Sequence, residues 1–178
     1  MNVPGVVNGY DVQVNFDLDV GLEAGEIPDV TTEFTAAGSR SDDASVFTTG
    51  QTDRVRVTIE DFENASEVKI TDQVPDGWTV DGKYGDVESF DPESGTVTFR
   101  GTVGADQVGD DGSVTLRYFA EAPEGADGTG TYTFGPAEAE VVAADVPGED
   151  SDGELDGDGT DEFGGTDTNT VAGVDTEA

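Results

Sequence analysis

The sequence predicts an all-β fold, an immunoglobulin-like antiparallel β-sandwich followed by a disordered acidic C-terminal tail. Three observations lead to this prediction. Apolar and polar residues alternate with the period of a strand in one segment after another. Glycine, proline and aspartate residues typical of turns separate these segments. No stretch has the 3.6-residue period of a helix, so the strands must bury their apolar faces against one another.

The alternating segments define the predicted strands in chain order. Tyr10–Val20 alternates without a break, with six apolar residues on one face. A glycine- and serine-rich stretch, residues 36–50, is predicted to be a loop with a short strand at 45–48. A Gly135-Pro136 pair interrupts the last strand, which indicates a bulge or an edge position. The predicted strands are residues 10–20, 30–34, 54–60, 66–74, 96–102, 113–122 and 131–142.

The only tryptophan, Trp78, directly follows the turn sequence Pro75-Asp76-Gly77. A side chain of this size directly after a tight turn is predicted to fill the core. An exposed aromatic platform for carbohydrate, formed with Tyr84, Phe90 and Tyr118, is the alternative, but aromatic residues in alternating strands favour the core. The predicted core residues are Trp78, Ile70, Val57, Phe99, Leu116 and Phe134.

The charge of the chain predicts its habitat. The formal net charge is −34, from 41 acidic and 7 basic residues, and only Lys69 and Lys83 are lysines. Such a charge repels itself strongly in a compact domain unless molar salt reduces the Debye length to about 3 Å. We therefore expect a protein of an extreme halophile; the alternative is an ordinary acidic protein with an acidic tail. The same charge argues against nucleic acid and anionic lipid as partners.

The composition changes at Asp145, after which there is no basic residue and few apolar ones. Such a segment buries too little surface to offset its chain entropy. The sequence therefore predicts three regions: an N-terminal strand and linker (1–28), a β-sandwich domain (29–144) and a disordered acidic tail (145–178).

The tail contains two partial calcium motifs. Asp152, Glu154 and Asp156 match the opening of an EF-hand loop, but the twelfth position is Phe163 rather than glutamate. Residues 157–163 resemble one repeat-in-toxin turn without stacked neighbours. A solvated linker is the preferred interpretation, so no cofactor is assigned. Weak calcium candidates are Asp152, Glu154, Asp156, Asp158 and Asp161.

One modification sequence falls in a predicted turn. Asn64-Ala65-Ser66 has the pattern of an N-glycosylation acceptor. An asparagine chosen only for the turn explains the same residue equally well.

Several stretches carry a family resemblance. The turn Asp72-x-x-Pro75-x-Gly77-Trp78 resembles that of conserved-repeat β-sandwiches in prokaryotic surface and secreted proteins. More closely, four segments resemble the C-terminal extensions of haloarchaeal exported proteins, notably subtilisin-like serine peptidases: residues 45–53, 118–123, 131–136 and 164–171. The resemblance implies a non-catalytic accessory or interaction module outside the cell or at its surface. Its partner would be a peptidase domain, a cell-surface component or a protein substrate.

The residues themselves argue against an enzyme. The sequence has no histidine, no cysteine and no G-x-S-x-G elbow, so it lacks the usual base and nucleophile of acyl transfer. A small carboxylate-based hydrolase remains the alternative function, because 41 acidic residues leave many possible pairs. No apolar segment is long enough for a membrane span, and the first ten residues lack the pattern of a signal peptide. A cytoplasmic protein of a high-salt cell is therefore the alternative to an exported chain.

Overall fold

The computed structural model describes residues 3–7, 10–14, 33–110, 112–145, 155 and 157–173. The chain divides into two compact units, Met1–Val30 and Thr31–Ala178. The sequence placed its first boundary after residue 28 and a second after residue 144. The second unit instead continues through the acidic C-terminal segment.

The first unit is described as one antiparallel pair of strands. Strand β1 (Val3–Val7) pairs with β2 (Tyr10–Val14), and Val7 faces Tyr10 across the pair. The remainder of the predicted strand, residues 15–20, lies outside the described residues. So do the predicted linker at 21–28 and the first two positions of the weaker alternation, Val30 and Thr32.

The second unit is built from β-strands, with 3₁₀ turns at Ala105–Gln107 and Ala126–Gly128. In the described part of the chain, no helix is long and apolar enough to cross a membrane. The strands are β3 (Thr35–Ser41), β4 (Val46–Thr48), β5 (Thr52–Glu63), β6 (Ala65–Gln73), β7 (Thr79–Val80), β8 (Val87–Asp91), β9 (Thr96–Phe99), β10 (Val103–Gly104), β11 (Val114–Glu121), β12 (Gly130–Phe134), β13 (Ala137–Ala144), β14 (Thr160–Phe163) and β15 (Asp167–Ala172).

These strands form three sheets of a β-sandwich. The largest has the order β14-β13-β6-β9-β8, with β10 also paired to β6. The second has the order β3-β5-β11-β7, and the third the order β12-β15-β4. All pairs are antiparallel except β15 with β4. The fold is therefore the all-β sandwich that the alternating segments predict.

The period of two places the core between the sheets. In β5, Val55, Val57 and Ile59 are fully buried, while the residues between them are partly exposed. Ile70 of β6, Phe99 of β9 and Phe134 of β12 are buried in the same cluster. Leu116 of β11 is only partly buried, packed against the edge of this cluster. Its neighbour two residues on, Tyr118, takes the central position instead.

Trp78 lies at the centre of an aromatic group. The turn before it closes with a hydrogen bond from Trp78 N–H to the Pro75 carbonyl oxygen, and Gly77 takes a positive φ of 87°. The indole is 2% exposed. Its ring makes edge contacts with Phe134 at 4.8 Å, Phe47 at 5.6 Å and Tyr132 at 6.0 Å between centroids. Trp78 therefore joins the turn to strands of the third sheet.

Two segments differ from the sequence prediction. The predicted loop at residues 36–50 contains β3 along most of its first half, because β3 pairs with β5 from Thr35 to Ser41. The tail predicted to be disordered contains β14 and β15. The prediction is corrected here because Phe163 and Val171 are buried and both strands pair with the sandwich. Two buried apolar residues in an acidic segment are enough when neighbouring strands satisfy its backbone.

Candidate functional site

A buried cation lies at the centre of the most polar part of the core. The Arg40 cluster comprises Arg40 of β3, Asp72 of β6, Tyr118 of β11 and Asp167 of β15. The side chains of Arg40 and Asp72 are fully buried. Asp72 follows Val68 and Ile70 on the inward face of β6, so the strand period itself turns its carboxylate into the core.

The Arg40 cluster is closely hydrogen bonded. Arg40 Nε donates to Asp72 Oδ2 at 3.1 Å and Nη1 donates to Asp167 Oδ2 at 2.9 Å. Tyr118 O–H donates to the same Asp72 oxygen at 2.7 Å. The backbone N–H of Gln73 donates to Asp72 Oδ1 at 3.0 Å, and the guanidinium lies 5.1 Å from the centre of the Phe134 ring. Both carboxylate oxygens of Asp72 therefore have donors.

The electrostatics of the Arg40 cluster keep Arg40 charged and Tyr118 protonated. Burial lowers the pKa of Arg40, but Asp72 and Tyr118 raise it by more, so its pKa lies above the ordinary value and the guanidinium stays charged. Burial raises the pKa of the Asp72 carboxyl, and Arg40 and the Tyr118 hydroxyl oppose that rise. Burial and then the Asp72 charge raise the pKa of Tyr118 well above its ordinary value. A phenol that keeps its proton is a hydrogen-bond donor here, not a base.

A second polar group lies two residues farther along β15. The Asp53 cluster comprises Asp42, Asp43, Asp53 at the start of β5 and Asn169 of β15. Asp53 is fully buried and Asn169 is 1% exposed. Asn169 Nδ2 donates to Asp42 Oδ2 at 2.8 Å and lies 3.5 Å from Asp53 Oδ2. The backbone N–H of Asp43 donates to Asp53 Oδ1 at 3.2 Å.

The pKa values of Asp53 and Asp43 are shifted in opposite directions. Burial raises the pKa of Asp53 to about 6; the Asp43 N–H lowers it and the nearby Asp42 charge raises it further. Asp43 is exposed, and hydrogen bonding to Arg54 lowers its pKa, with a further lowering from Arg56. Asp53 is thus a buried group that changes its charge near pH 6. Among the described residues, no group of three or more acidic side chains has the geometry of a metal site.

The calcium candidates fall partly outside the described residues: Asp152, Glu154 and Asp156 lie there. Asp158 accepts a hydrogen bond from the Thr160 N–H at 3.2 Å, within the tail itself. Asp161 accepts one from the Ala36 N–H at 2.8 Å, which joins β14 to β3. The structure therefore gives Asp161 a role in strand pairing and does not bring the two described candidates together with a third acidic ligand.

The glycosylation candidate occupies the turn between β5 and β6. Asn64 has a positive φ of 64°, and its Nδ2 donates to the Glu33 carbonyl oxygen at 2.7 Å. Asparagine tolerates this left-handed backbone better than most residues. The local geometry thus explains the residue type without a glycan, and it leaves the side chain half-buried.

The two lysines lie away from the buried clusters. Lys69 Nζ forms an ion pair with Glu88 on the outer face of the largest sheet. Lys83 is exposed in the loop between β7 and β8, where its N–H donates to Asp81. Of the proposed aromatic platform, Trp78 and Tyr118 are buried, and Tyr84 is 62% exposed. The four rings therefore do not share a surface.

Sequence reasoning missed Arg40, Tyr118 and Asp53 as members of polar clusters. One signal was available: Asp72 continues the inward series of Val68 and Ile70, and a carboxylate on a buried face needs a donor or a cation. The partner could not be named from the sequence, because Arg40 precedes Asp72 by 32 residues in a segment predicted to be a loop.

Comparisons with known proteins find likeness only among solved structures. No family model matches the sequence, and no curated protein does. A cohesin module from a family 33 glycoside hydrolase of Clostridium perfringens matches with a TM-score of 0.42 and 12% identity, over 79% of this chain and 100% of that one. The bacterial hydrophobin BslA matches with a TM-score of 0.39 and 16% identity, over 79% of this chain and 100% of that one. A non-cellulosomal cohesin of Archaeoglobus fulgidus matches with a TM-score of 0.36 and 13% identity, over 82% of this chain and 94% of that one. The strand pairing itself defines the β-sandwich.

Proposed function

We propose that this chain is a non-catalytic β-sandwich interaction module of a haloarchaeal exported or cell-surface protein, attached to or derived from a subtilisin-like serine peptidase. The observation that carries the non-catalytic part is the Arg40 cluster. Its guanidinium, carboxylate and phenol are directed at one another inside the core. These three groups are buried and hydrogen bonded to one another, so they hold strands together and are not open to a substrate.

The composition supports the same proposal. Peptide or ester cleavage at neutral pH needs a base with a pKa near 7 beside a nucleophile. Histidine and cysteine are absent from the sequence. Lys69 is paired with Glu88 and Lys83 is exposed to solvent, so neither has the burial that turns a lysine into a base.

The alternative, a carboxylate-based hydrolase, has one specific group in its favour. Asp53 has the raised pKa of a general acid, with Asp42 close by. However, Asp53 is fully buried and β15 covers it through Asn169. A glycosidase needs both carboxyl groups open to the sugar. We therefore favour the interaction module, in which Asp53 contributes to seating a strand.

The catalytic half of the proposal is tested with the purified chain in about 3 M KCl, where carboxylates are screened over about 3 Å. We expect no hydrolysis of casein, of p-nitrophenyl esters or of p-nitrophenyl glycosides. Turnover that copurifies with the chain and disappears in Lys69→Ala or Lys83→Ala would contradict the proposal in favour of an acyl hydrolase. Turnover of a glycoside that disappears in Asp53→Asn would favour the carboxylate-based alternative.

The partner half is tested by fusion. The chain is joined through its own N-terminal segment to a haloarchaeal subtilisin-like peptidase domain, and the fusion is compared with the domain alone. We expect unchanged hydrolysis of a small peptide substrate and altered retention on haloarchaeal cell envelopes or on insoluble protein substrate. Equal retention of both proteins in high salt would contradict an interaction role.

A further inference from the structure

The last described strand of the chain occupies a position between two strands that do not pair with each other. Strand β15 is antiparallel to β12 from Gly130 to Phe134 and parallel to β4 from Val46 to Thr48. In the described sheet, β12 and β4 are joined only through β15. We call the space between β12 and β4 the strand slot. Without β15, both strands would present unpaired backbone groups across it.

The strand slot recognises alternate residues of β15. Asp167 forms an ion pair with buried Arg40, Asn169 donates to Asp42, and Val171 is fully buried. The backbone is held as well: Thr170 N–H donates to the Ser45 carbonyl oxygen at 2.9 Å, and Gly173 N–H donates to Thr129 Oγ1 at 2.8 Å. A carboxylate, an amide and an apolar side chain at every second residue therefore give the slot selectivity for this segment.

Strand β14 is seated together with β15. It pairs with β13 along its length, and its Phe163 is 5% exposed. The Phe163 ring lies so close to Gly38 of β3 that a Cβ at Gly38 would come within 2.8 Å of it. Residues 160–172 thus dock as one unit onto three different parts of the sandwich.

The connection to this unit is longer than the fold requires. Glu140 of β13 faces Thr160 of β14, an antiparallel arrangement that a turn of about two to five residues can join. Fifteen residues instead separate Ala144 from Thr160, seven of them acidic and none basic. Ala144 lies about 13 Å along β13 from Glu140, the register partner of Thr160, at about 3.3 Å per strand residue. Fifteen residues can span about 50 Å. A connection of this length can also reach a neighbouring copy.

We propose that the strand slot is a strand-acceptor site and that its second occupant is residues 160–172 of another copy of this chain, so that two copies exchange their C-terminal strands reciprocally. The contacts of β14 and β15 are identical in the closed and exchanged forms. The balance is therefore set by the effective concentration of the chain's own segment, which for a linked segment is in the millimolar range. The exchanged dimer gains population as the protein concentration approaches that range.

The test uses single-thiol variants of the full chain, which has no cysteine of its own. Thr131 of β12 and Thr170 of β15 are register partners with exposed side chains. Thr131→Cys and Thr170→Cys chains, one with a larger affinity tag, are mixed and refolded in molar KCl at about 1 mM, and separately at about 10 µM. After dilution, a short bis-maleimide is added. We expect a cross-linked heterodimer from the concentrated sample and little from the dilute one.

Two controls make the result decisive. Thr115→Cys replaces Thr170→Cys as an exposed threonine on β11, in another sheet, and should give no more than background cross-linking with Thr131→Cys. The double variant Thr131→Cys/Thr170→Cys at about 10 µM should cross-link within one chain, since it stays closed below millimolar concentration. A 131/170 heterodimer yield equal to the 131/115 background overturns the proposal. Failure of the double variant to cross-link within the chain also overturns it, because β15 would then not lie in the slot.

Discussion

The Arg40 cluster and the Asp53 cluster both fasten β15 to the sandwich, yet they have different charge balances. In the first, a buried guanidinium lies between two carboxylates and a phenol. In the second, the buried carboxyl of Asp53 meets an amide, and the nearby arginines reach only the exposed Asp43. The chain has 7 basic residues against 41 acidic ones, and one of the seven is in the core. A buried carboxylate without a cation must then be protonated or strained.

Removal of the buried cation should have the largest effect. We expect Arg40→Ala to lower the free energy of unfolding by about 3–5 kcal/mol, because it leaves the buried Asp72 without its countercharge. Chemical denaturation in molar KCl measures this. Arg54→Ala is the matched control, since Arg54 pairs with Asp43 at the surface, and should cost about 0–1 kcal/mol. Equal losses in the two variants would show that Arg40 is not the centre of the cluster.

The phenol should matter less than the cation. Tyr118→Phe removes the 2.7 Å hydrogen bond to Asp72, and we expect a loss of about 1.5–3 kcal/mol, as for bonds to charged groups. Tyr132→Phe removes a bond to the Gly128 carbonyl oxygen instead and should cost about 1 kcal/mol. If Tyr132→Phe proves the more costly, then Asp72 carries no charge that needs the Tyr118 donor.

In the Asp53 cluster, removal of the buried charge should stabilise the protein rather than destabilise it. The pKa of Asp53 is raised to about 6 from an ordinary value of 3.8, so its favourable contribution is full below about pH 4 and is lost as the pH rises through 6. We expect Asp53→Asn to raise stability at pH 7.5 and to flatten the stability profile between pH 4 and 6. Thermal unfolding midpoints at several pH values measure both.

Asp43→Asn is the control for the stability gain expected of Asp53→Asn. Arg54 and Arg56 lower the pKa of Asp43, so its contribution is present above its ordinary pKa and is lost on acidification. We therefore expect Asp43→Asn to give no gain at pH 7.5. A stabilising effect of the same size in both variants would mean that general charge reduction, not the burial of Asp53, is responsible.

The smallest effect concerns the outer face of the largest sheet, where two glutamates are register partners. Glu138 faces Glu162 directly, and burial, Glu162 and Glu140 raise the pKa of Glu138. Glu138→Gln should stabilise the protein by about 0.5 kcal/mol at low ionic strength, with the gain disappearing in molar KCl. Glu121→Gln, an exposed strand glutamate on β11, should show less of this salt dependence. Equal salt dependence in both would remove the special role of the facing pair.

Much of the fold could be predicted from the sequence because strand periodicity is local. The inward series of β5 and β6 is visible from alternate valine and isoleucine residues, and the Pro75-Asp76-Gly77 turn explains why Trp78 enters the core. The same series contained Asp72, which the sequence analysis assigned to a turn motif. The halophilic habitat and the peptidase attachment remain predictions from composition and resemblance.

What the sequence determined by itself, then, is the all-β class, the strand-forming segments and the lack of a histidine or cysteine for catalysis, since each follows from residue types over a few positions. Only the tertiary structure decided that Arg40 meets Asp72 and Asp167, at separations of 32 and 127 residues. It also decided that an acidic tail supplies β15, because Asn169 and Val171 find their partners, Asp42 and Phe47, far earlier in the chain. An isolated tail offers too few apolar residues to fold, but a slot with unpaired backbone groups on both sides satisfies it.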